Sequence, residues 1–359
     1  MTQSTPPGGA TPAQPPMAGG GPPSPPVKDT VSTARLADLA DYVVPFTLRA
    51  ICGLRVADHL AAGPRSVEQL AELTGSHALS LHRALRALAS REIFAEVEPG
   101  VFELTPLAQP LRSDHPASLR EAYPLLAPDV RAWAAMDHTL RTGESAFEHA
   151  HDGKGYWEYM AEHPRDNELF NASQRSVTHR ELRAMLSAYD WGVFGTIVDV
   201  GGNNGAFLAG ILEAFPSVRG IVFDQPHVVS GAREVLADRG VADRCEAVGG
   251  DILQTVPAGG DAYLLKRVMY AFDDGDSLAI LRAIRAGMHA GSRLLLMEPL
   301  LEPGNEFDWG KLYDVLLLVM SGGGGRSLEA LQELFAKADL ELVRVLRTRT
   351  LPIIEARPI

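Results

Sequence analysis

The sequence predicts an α/β domain with a doubly wound, mainly parallel sheet, preceded by a helical domain that contains a winged helix. Three observations lead to this prediction. From residue 196 onward, short apolar runs rich in branched residues alternate with helical patterns. Between residues 66 and 105, two helical patterns precede an alternating pattern that turns at a Pro-Gly pair. Residues 1–28, half of which are Pro or Gly, show neither pattern.

Residues 1–28 form the first segment, and their composition predicts a disordered tail without a catalytic role. A segment so rich in Pro and Gly cannot bury enough apolar surface to offset the entropy of ordering its chain. Its first basic residue is Lys28 and it has no apolar core, so it does not resemble a signal peptide.

Composition excludes several classes of protein. A chain of 359 residues suits two domains, and a formal net charge of -12 argues against a nucleic-acid partner. No apolar run reaches the roughly 18 residues that a membrane span needs, so no membrane partner is expected. Two cysteines, Cys52 and Cys245, cannot form a disulfide framework, which predicts a cytoplasmic protein.

Residues 29–115 are predicted to be the winged-helix domain. Two helices occupy residues 31–60, and Pro45 marks the break or kink between them. Ser66 and Gln69 have capping-box spacing at the start of the next helix, which Gly75 ends. A further helix and a two-stranded hairpin complete the motif.

A winged helix has two interpretations. DNA binding would use the second helix, where only His82, Arg83 and Arg86 are available, and the acidic net charge opposes it. The other interpretation is a scaffold that packs against a second copy of the chain through the apolar faces of residues 31–60, which predicts a homodimer.

Residues 116–190 are predicted to be a helical linker that carries the substrate pocket. We expect most of its large side chains to be core and a few to face a flat, apolar ligand. These side chains are Trp133, Met136, Phe147, Tyr156, Trp157, Tyr159, Met160 and Phe170.

Histidines in this linker are the candidate metal ligands. His149, His151 and Asp152 lie close together, but no third ligand cluster is evident, so no metal site is predicted. His138 and His179 are expected on helix surfaces.

Residues 191–359 are predicted to bind an adenosine group. The strand at residues 196–200 leads into a loop whose glycines, Gly201, Gly202 and Gly205, permit close approach of the backbone to a ligand. The spacing departs from the dinucleotide fingerprint, which disfavours a pyrophosphate.

The next two strands complete this interpretation. Asp224 ends the second strand, where a carboxylate can accept both ribose hydroxyls. Asp251 and Ile252 follow the third strand and offer a polar and an apolar contact to adenine. S-adenosylmethionine is an adenosine without phosphate and fits this set. Alternatively, Asp224 and Asp251 only cap helices.

Several segments together resemble the small-molecule O-methyltransferase family of the caffeate and hydroxyindole type, in its bacterial polyketide-tailoring branch. They are "DVGGNNGAFLAGILEAFP", "GIVFDQPHVV", "GGDIL", "AYLLKRV", "ILRAIRAGMHAGSRLLLMEPLLEPG" and "IIEA". The resemblance covers residues 31–359. It implies a class I methyltransferase fold, S-adenosylmethionine as cofactor, a homodimer and a small aromatic acceptor. The implied cofactor residues are Gly201, Asp224, Asp251, Ile252 and Lys266.

The sequence departs from this family at the catalytic position. The family reads His-Asp-Trp where this chain has Tyr270, Ala271 and Phe272, and that His is the general base. A neutral phenol with an ordinary pKa near ~10 accepts protons poorly at neutral pH. Tyr270 is therefore predicted to orient the acceptor oxygen or, alternatively, only to pack the pocket wall.

This chain differs from the family at one of the two other catalytic elements and agrees with it at the second. Gly325 replaces the Glu that orients the His, while the adjacent Arg326 and the distant Glu298 are retained as candidate catalytic residues. Asp273 and Asp274 are expected to cap the following helix.

These observations predict an S-adenosylmethionine-dependent O-methyltransferase for a phenolic or polycyclic aromatic secondary metabolite. With no His, proximity and desolvation are expected to supply most of the acceleration. The alternatives are C- or N-methylation, an enzyme that keeps the cofactor without methyl transfer, and a DNA-binding regulator.

Overall fold

The computed structural model describes residue 1 and residues 27–359, with side chains from residue 31. The predicted disorder of residues 1–28 therefore lies almost wholly outside the described residues. Of the described residues, 27–46 belong to one compact unit and 47–359 form a second unit.

The first two helices are α1 (Val27–Leu39) and α2 (Val43–Gly53). The break between them lies at residues 40–42, and Asp41 accepts hydrogen bonds there from the N–H groups of Val43 (2.9 Å) and Val44 (3.1 Å). Pro45 was predicted to mark the break but lies in the first turn of α2. A missing N–H costs no helical hydrogen bond in a first turn.

The winged helix is present in the second unit. Its elements are α3 (Val56–His59), β1 (Arg65–Ser66), α4 (Val67–Thr74), α5 (Ala78–Ala89), β2 (Phe94–Glu98) and β3 (Val101–Leu104). The capping box is confirmed, because Ser66 Oγ accepts the Gln69 N–H and Gln69 Oε1 accepts the Ser66 N–H. Gly75 ends α4 in the left-handed conformation, and the strands form an antiparallel sheet in the order β1-β3-β2.

The linker consists of five helices. They are α6 (Ala127–Ala134), α7 (Met136–Thr142), α8 (Ala146–Ala150), α9 (Tyr156–Glu162) and α10 (Pro164–Ala188). Of the eight large side chains noted in this region, only Phe147 and Met160 are buried, while Trp133 and Trp157 are 41% and 66% exposed. Met136, Tyr156 and Tyr159 are half-buried and pack against the core cluster that contains Phe147. The expectation that most of the eight belong to the core is therefore met only if these half-buried side chains are included.

A seven-stranded sheet forms the centre of the C-terminal part. Its strands are β4 (Thr196–Val200), β5 (Arg219–Asp224), β6 (Cys245–Gly249), β7 (Ala262–Lys266), β8 (Arg293–Met297), β11 (Leu340–Leu346) and β12 (Ile353–Pro358). Their order is β11-β12-β8-β7-β4-β5-β6; strands β4 to β8 are parallel and β12 is antiparallel to both neighbours. The predicted doubly wound, mainly parallel sheet is confirmed.

Helices cover both faces of this sheet. They are α11 (Ala206–Ala214), α12 (Pro226–Val229), α13 (Ala232–Asp238), α14 (Asp274–Gly287) and α16 (Leu328–Lys337). Helix α15 (Trp309–Ser321) instead packs against the linker helices α6, α7 and α8. The helical pattern at residues 228–239 divides into α12 and α13, with Ser230 and Gly231 between them. A short parallel pair, β9 (Leu300–Leu301) with β10 (Arg326–Ser327), precedes and follows α15. Within the described residues, no helix has the length and apolarity of a membrane span.

Two apolar cores hold the layers together. One contains Trp191, Phe207 and Leu208, and the other contains Tyr263, Leu281 and Phe335. The first core includes the crossing of α10 and α11, where Leu182 packs beside Gly210. This crossing sets the position of α10 over the sheet.

We predict that Gly210→Ala destabilises the protein by about 1–3 kcal/mol, the usual cost of overpacking. A Cβ at Gly210 would lie 2.1 Å from Leu182 Cδ2, so Leu182 or the whole of α10 must shift. Gly53→Ala is the matched control, since a Cβ there meets nothing within 4 Å. Thermal unfolding of both variants is the measurement, and equal midpoints would contradict the prediction.

Candidate active site

The glycine loop connects β4 to α11 and lies against two neighbouring loops. The N–H groups of Gly201 and Gly202 donate to the Phe223 carbonyl at 2.8 and 3.2 Å. Gly201 has φ +73°, and a Cβ there would lie 2.7 Å from a Val268 methyl carbon. Only glycine fits this position, because it combines a left-handed backbone with a contact that leaves no room for a side chain.

Asp224 ends β5 at the carboxyl edge of the sheet. Its carboxylate accepts the N–H groups of Asn203 (2.8 Å) and Gln225 (2.7 Å), so it fixes the glycine loop to its own strand. A carboxylate has about four lone-pair sites. Asp224 therefore keeps acceptor capacity beyond these two hydrogen bonds.

Asp251 and Ile252 follow β6, the strand beside β5. Asp251 is exposed and accepts hydrogen bonds from the Leu253 N–H (3.0 Å) and from the Gln254 amide (2.8 Å). Ile252 packs against the second core. The parallel pairing brings the ends of β5 and β6 to one edge, as the sequence predicted.

Asp199 is a third carboxylate at this edge, which the sequence reasoning missed. It lies in β4, it is buried, and its Oδ2 has no hydrogen-bond partner among the described residues. Burial raises the pKa of Asp199 to about 7, although Lys266 acts to lower it. An alternating apolar strand with an internal Asp was the available signal.

Lys266 lies at the end of β7 and forms a buried ion cluster. Glu181 of α10, only 1% exposed, accepts hydrogen bonds from Lys266 Nζ (3.2 Å), Arg267 Nε (2.9 Å) and Arg267 Nη2 (2.6 Å). Lys266 Nζ also lies 5.3 Å from the centroid of the Phe207 ring. Lys266 was implied as a cofactor residue by the resemblance, whereas its partner Glu181 was not predicted.

Arg267 and Lys266 keep the carboxylate of Glu181 ionised in spite of its burial. Burial by itself would raise the pKa of Glu181, but Arg267 and Lys266 outweigh burial and hold that pKa below its ordinary value. Glu181 raises the pKa of Arg267 although burial acts to lower it. The cluster is therefore ionised, and Arg267 adopts a left-handed backbone (φ +58°) within it.

The turn after β7, residues 268–272, carries Tyr270. Glu298 is buried (4% exposed) and its Oε1 accepts the backbone N–H groups of Val268 (3.0 Å), Met269 and Tyr270 (3.3 Å). Burial raises the pKa of Glu298 to about 7, and the backbone hydrogen bonds act against that rise. Glu298 thus holds the turn by accepting hydrogen bonds from the backbone N–H groups of the turn.

Arg326 holds the same turn by donating hydrogen bonds to backbone carbonyls of the turn. Its guanidinium donates to the carbonyls of Met269 (3.1 Å) and Phe272 (2.8 Å), and to the Asp274 carboxylate (3.0 Å). The Gly324 N–H donates to the Tyr270 carbonyl at 3.2 Å. In this geometry Glu298 and Arg326 contact backbone, so they act on the site through the turn.

Tyr270 points its ring at Tyr313 of α15. The two ring centroids are 5.7 Å apart in an edge-to-face arrangement, and Arg267 lies 4.9 Å from the centre of the Tyr313 ring. Burial raises the pKa of Tyr270 well above its ordinary value, and proximity and hydrogen bonding to Tyr313 raise it further. Tyr270 is therefore a neutral phenol at physiological pH, which argues against a role as general base.

The remaining candidates have structural partners. Asp273 caps α14 by accepting the Asp276 N–H at 2.9 Å, as predicted. The rings of His138 and His149 stack with centroids 3.8 Å apart, and buried His151 contacts the Phe147 carbonyl through Nδ1. No group of three or more metal-ligating side chains occurs in the part of the chain that the structure describes.

Family models match both parts of the chain. One described as the O-methyltransferase domain matches residues 133–341, more than half of the sequence, and one described as the O-methyltransferase dimerisation domain matches residues 37–114. The chain therefore belongs to the O-methyltransferase family and is an S-adenosylmethionine-dependent methyltransferase.

Individual relatives agree with this assignment. The phenazine O-methyltransferase PhzM of Lysobacter antibioticus is 42% identical, with 92% of this chain and 97% of the relative covered. The crystal structure of LaPhzM superposes with a TM-score of 0.81 at 41% identity, covering 92% of this chain and 99% of that chain. NcsB1, an O-methyltransferase from neocarzinostatin biosynthesis, was crystallised with S-adenosylmethionine and 2-hydroxy-5-methyl naphthoic acid. It superposes with a TM-score of 0.74 at 31% identity, covering 90% of this chain and 98% of that chain.

The donor set at the sheet edge fits this cofactor. A sulfonium ion with an adenosine group needs no phosphate cradle, and this edge instead offers a glycine backbone and three carboxylates. Of these carboxylates, Asp199 and Asp224 flank the glycine loop and Asp251 follows β6.

We predict that Glu181→Gln destabilises the protein by about 3 kcal/mol, because it leaves two buried cations without a counter-charge. Glu213→Gln removes an exposed pair with Arg239 and should cost at most about 1 kcal/mol. Chemical denaturation at neutral pH compares the two variants, and a similar loss in both would refute a special role for the buried cluster.

The stability that Glu181 contributes depends on pH with a defined sign. Because the pKa of Glu181 is lowered on folding, its contribution is complete above the ordinary carboxyl pKa and is lost as the pH falls through the folded-state pKa. The difference in stability between the wild type and Glu181→Gln should therefore shrink on acidification.

Proposed function

We propose that this enzyme transfers a methyl group from S-adenosylmethionine to a hydroxyl of a flat, phenolic or polycyclic aromatic secondary metabolite. The observation that carries this proposal is the group of rings beside the turn at residues 268–272. Tyr156 lies 4.9 Å from Phe147 and 5.5 Å from Phe170 between ring centroids, and α15 brings Tyr313 to Tyr270. Two relatives are named for phenazine or solved with a naphthoic acid, both flat aromatic compounds.

For the cofactor, we assign Asp224 to the ribose hydroxyls, the backbone at Gly201 to the edge of the ligand, and Asp251 with Ile252 to the adenine. When bound, S-adenosylmethionine supplies an electrophilic methyl group on a cationic sulfur. The ammonium of Lys266 already donates to Glu181 at 3.2 Å. A contact between Lys266 and the carboxylate of S-adenosylmethionine would therefore share that ammonium with Glu181.

For the acceptor, we assign an orienting role to Tyr270 and positioning roles to Glu298 and Arg326. A buried, neutral Tyr270 can donate or share a hydrogen bond but has no driving force to remove a phenol's proton. Glu298 and Arg326 fix the backbone on both sides of Tyr270, so they determine where its hydroxyl lies. The acceleration then comes from proximity and orientation in a site shielded from water.

We further propose that the chain works as a homodimer in the cytoplasm. Large apolar side chains are exposed along residues 31–46, and the family model that matches this region is a dimerisation domain. Exposed apolar surface of this kind suits a protein interface. Both cysteines are free thiols, which suits a reducing compartment.

The names of two relatives indicate reactions other than O-methyl transfer, and an experiment can distinguish them. One, 34% identical, is named 8-amino-8-demethylriboflavin N,N-dimethyltransferase, and another, 30% identical, is named aclacinomycin 10-hydroxylase. Mass spectrometry after incubation with the cofactor and a panel of hydroxylated and amino-substituted arenes distinguishes gain of a methyl group from gain of oxygen. Methylation of no hydroxylated arene would overturn the proposed O-methyl transfer.

We predict that Asp224→Asn weakens binding of S-adenosylhomocysteine by about 1.5–3 kcal/mol, the value of a hydrogen bond to a charged group. Asn is preferred to Ala because its amide oxygen still accepts a backbone N–H from the glycine loop. Isothermal titration calorimetry measures the affinity, with Asp243→Asn, an exposed carboxylate, as the control. Unchanged affinity in Asp224→Asn would rule out the ribose assignment.

We predict that Tyr270→Phe lowers the single-turnover rate only about tenfold, because one orienting hydrogen bond contributes roughly 0.5–1.5 kcal/mol. Loss of a general base would instead cost about 10²–10⁴-fold. Tyr313→Phe removes the partner hydroxyl and should give a loss of similar size, and the double variant should be less than additive. A thousandfold loss in Tyr270→Phe with unchanged acceptor affinity would make Tyr270 the proton acceptor.

A further inference from the structure

Asp129 is a half-buried carboxylate that no part of the proposed mechanism uses so far. It lies in the first turn of α6, and its Oδ1 is inaccessible to solvent and has no hydrogen-bond partner among the described residues. An unmet hydrogen-bond acceptor inside a protein costs stability, so its presence calls for an explanation.

Asp129 acts electrostatically on the aromatic side chains beside the proposed site. Burial raises the pKa of Tyr156, and the charges of Asp129, Asp166 and Tyr313 raise it further. Tyr313 in turn faces Tyr270.

Packing of the helices gives the same arrangement. Helix α15, which carries Tyr313, packs against α6, against α8 and against the turn that holds Tyr270. Tyr156 and Leu316 both lie against the apolar cluster that contains Phe147 and Val319. The helix that carries Asp129 thus packs against the helix that carries Tyr313, and Tyr313 faces Tyr270.

Neighbouring groups do not satisfy the free oxygen. Arg49 acts electrostatically on Asp129, but its guanidinium donates to the Pro124 carbonyl (3.1 Å) and lies over the Tyr123 ring. Asp166 repels it, and burial raises the pKa of Asp129 to about 6. At neutral pH the group is therefore mostly an ionised acceptor that lacks a donor.

We propose that Asp129 binds the acceptor substrate by accepting a hydrogen bond from a hydroxyl of the flat arene that lies against Tyr156 and Tyr313. This inference rests on the proposed function, since it names the part of the pocket that selects a hydroxylated aromatic compound. An arene without a hydrogen-bond donor at that position leaves Oδ1 of Asp129 without a partner, and the site discriminates against such a compound.

The test is equilibrium binding of a matched pair of probes, 2-hydroxyphenazine and 2-methoxyphenazine, followed by quenching of tryptophan fluorescence at neutral pH. The wild type should bind the hydroxyl compound about tenfold or more tightly than the methoxy compound, since a hydrogen bond to a charged group is at stake. Asp129→Leu should bring this ratio close to one while leaving the affinity for the methoxy compound within about threefold.

Two further variants make the result specific. Asp129→Asn should keep a preference of a few fold, because its amide oxygen still accepts a hydrogen bond, and it serves if Asp129→Leu does not fold. Asp137→Asn removes an exposed carboxylate on α7 and should keep the full preference of the wild type. The proposal is overturned if the wild type shows no preference for the hydroxyl, or if Asp129→Leu retains the whole of it.

Binding and methyl transfer fail separately in this experiment. A hydroxyl preference that depends on Asp129, in an enzyme that methylates no arene, would refute the proposed reaction and leave the role of Asp129 standing. Methylation of hydroxylated arenes with an unchanged preference in Asp129→Leu would do the reverse.

Discussion

The ion cluster of Glu181, Lys266 and Arg267 is the interaction on which the geometry of the candidate site depends. It joins α10, a linker helix, to the residues that leave β7, and those residues continue directly into the turn that carries Tyr270. A carboxylate this deeply buried is tolerated only with its counter-charges in place. The position of α10 and the path of the turn are consequently coupled, and the close crossing of α10 and α11 at Gly210 adds a steric limit to the same coupling.

The carboxyl edge of the sheet is acidic, and this character suits a cationic ligand. Asp199 and Asp224 flank the glycine loop, and Asp224 also holds that loop by two backbone hydrogen bonds. Burial raises the pKa of Asp199 to about 7, and Lys266 acts in the opposite direction. The charge of Asp199 is therefore adjustable near neutral pH, and a cation beside it would favour the ionised form.

The turn at residues 268–272 is held by backbone contacts that do not depend on the side chain at position 270. Glu298 accepts N–H groups from one side of the turn, and Arg326 donates to carbonyls on the other side. A Tyr can therefore occupy the position where the resemblance led us to expect a His without loss of either contact. Gly325, where the resemblance led us to expect a Glu, lies beside Leu301 and donates its N–H to Asp314.

The sequence by itself determined the order of the elements, the capping box at Ser66, the parallel sheet and the positions of Asp224 and Asp251, because these follow from local periodicity and from the rule that parallel strands end at one edge. It did not reveal α15, where the apolar run at residues 315–320 masks the helical period. Tertiary structure decided which side chains meet. Glu181 is 85 residues from Lys266, Tyr313 contacts Tyr270 from another helix, and Asp129 becomes significant only because folding buries its Oδ1 without a donor. Pairings across such distances depend on packing, which one-dimensional patterns do not encode.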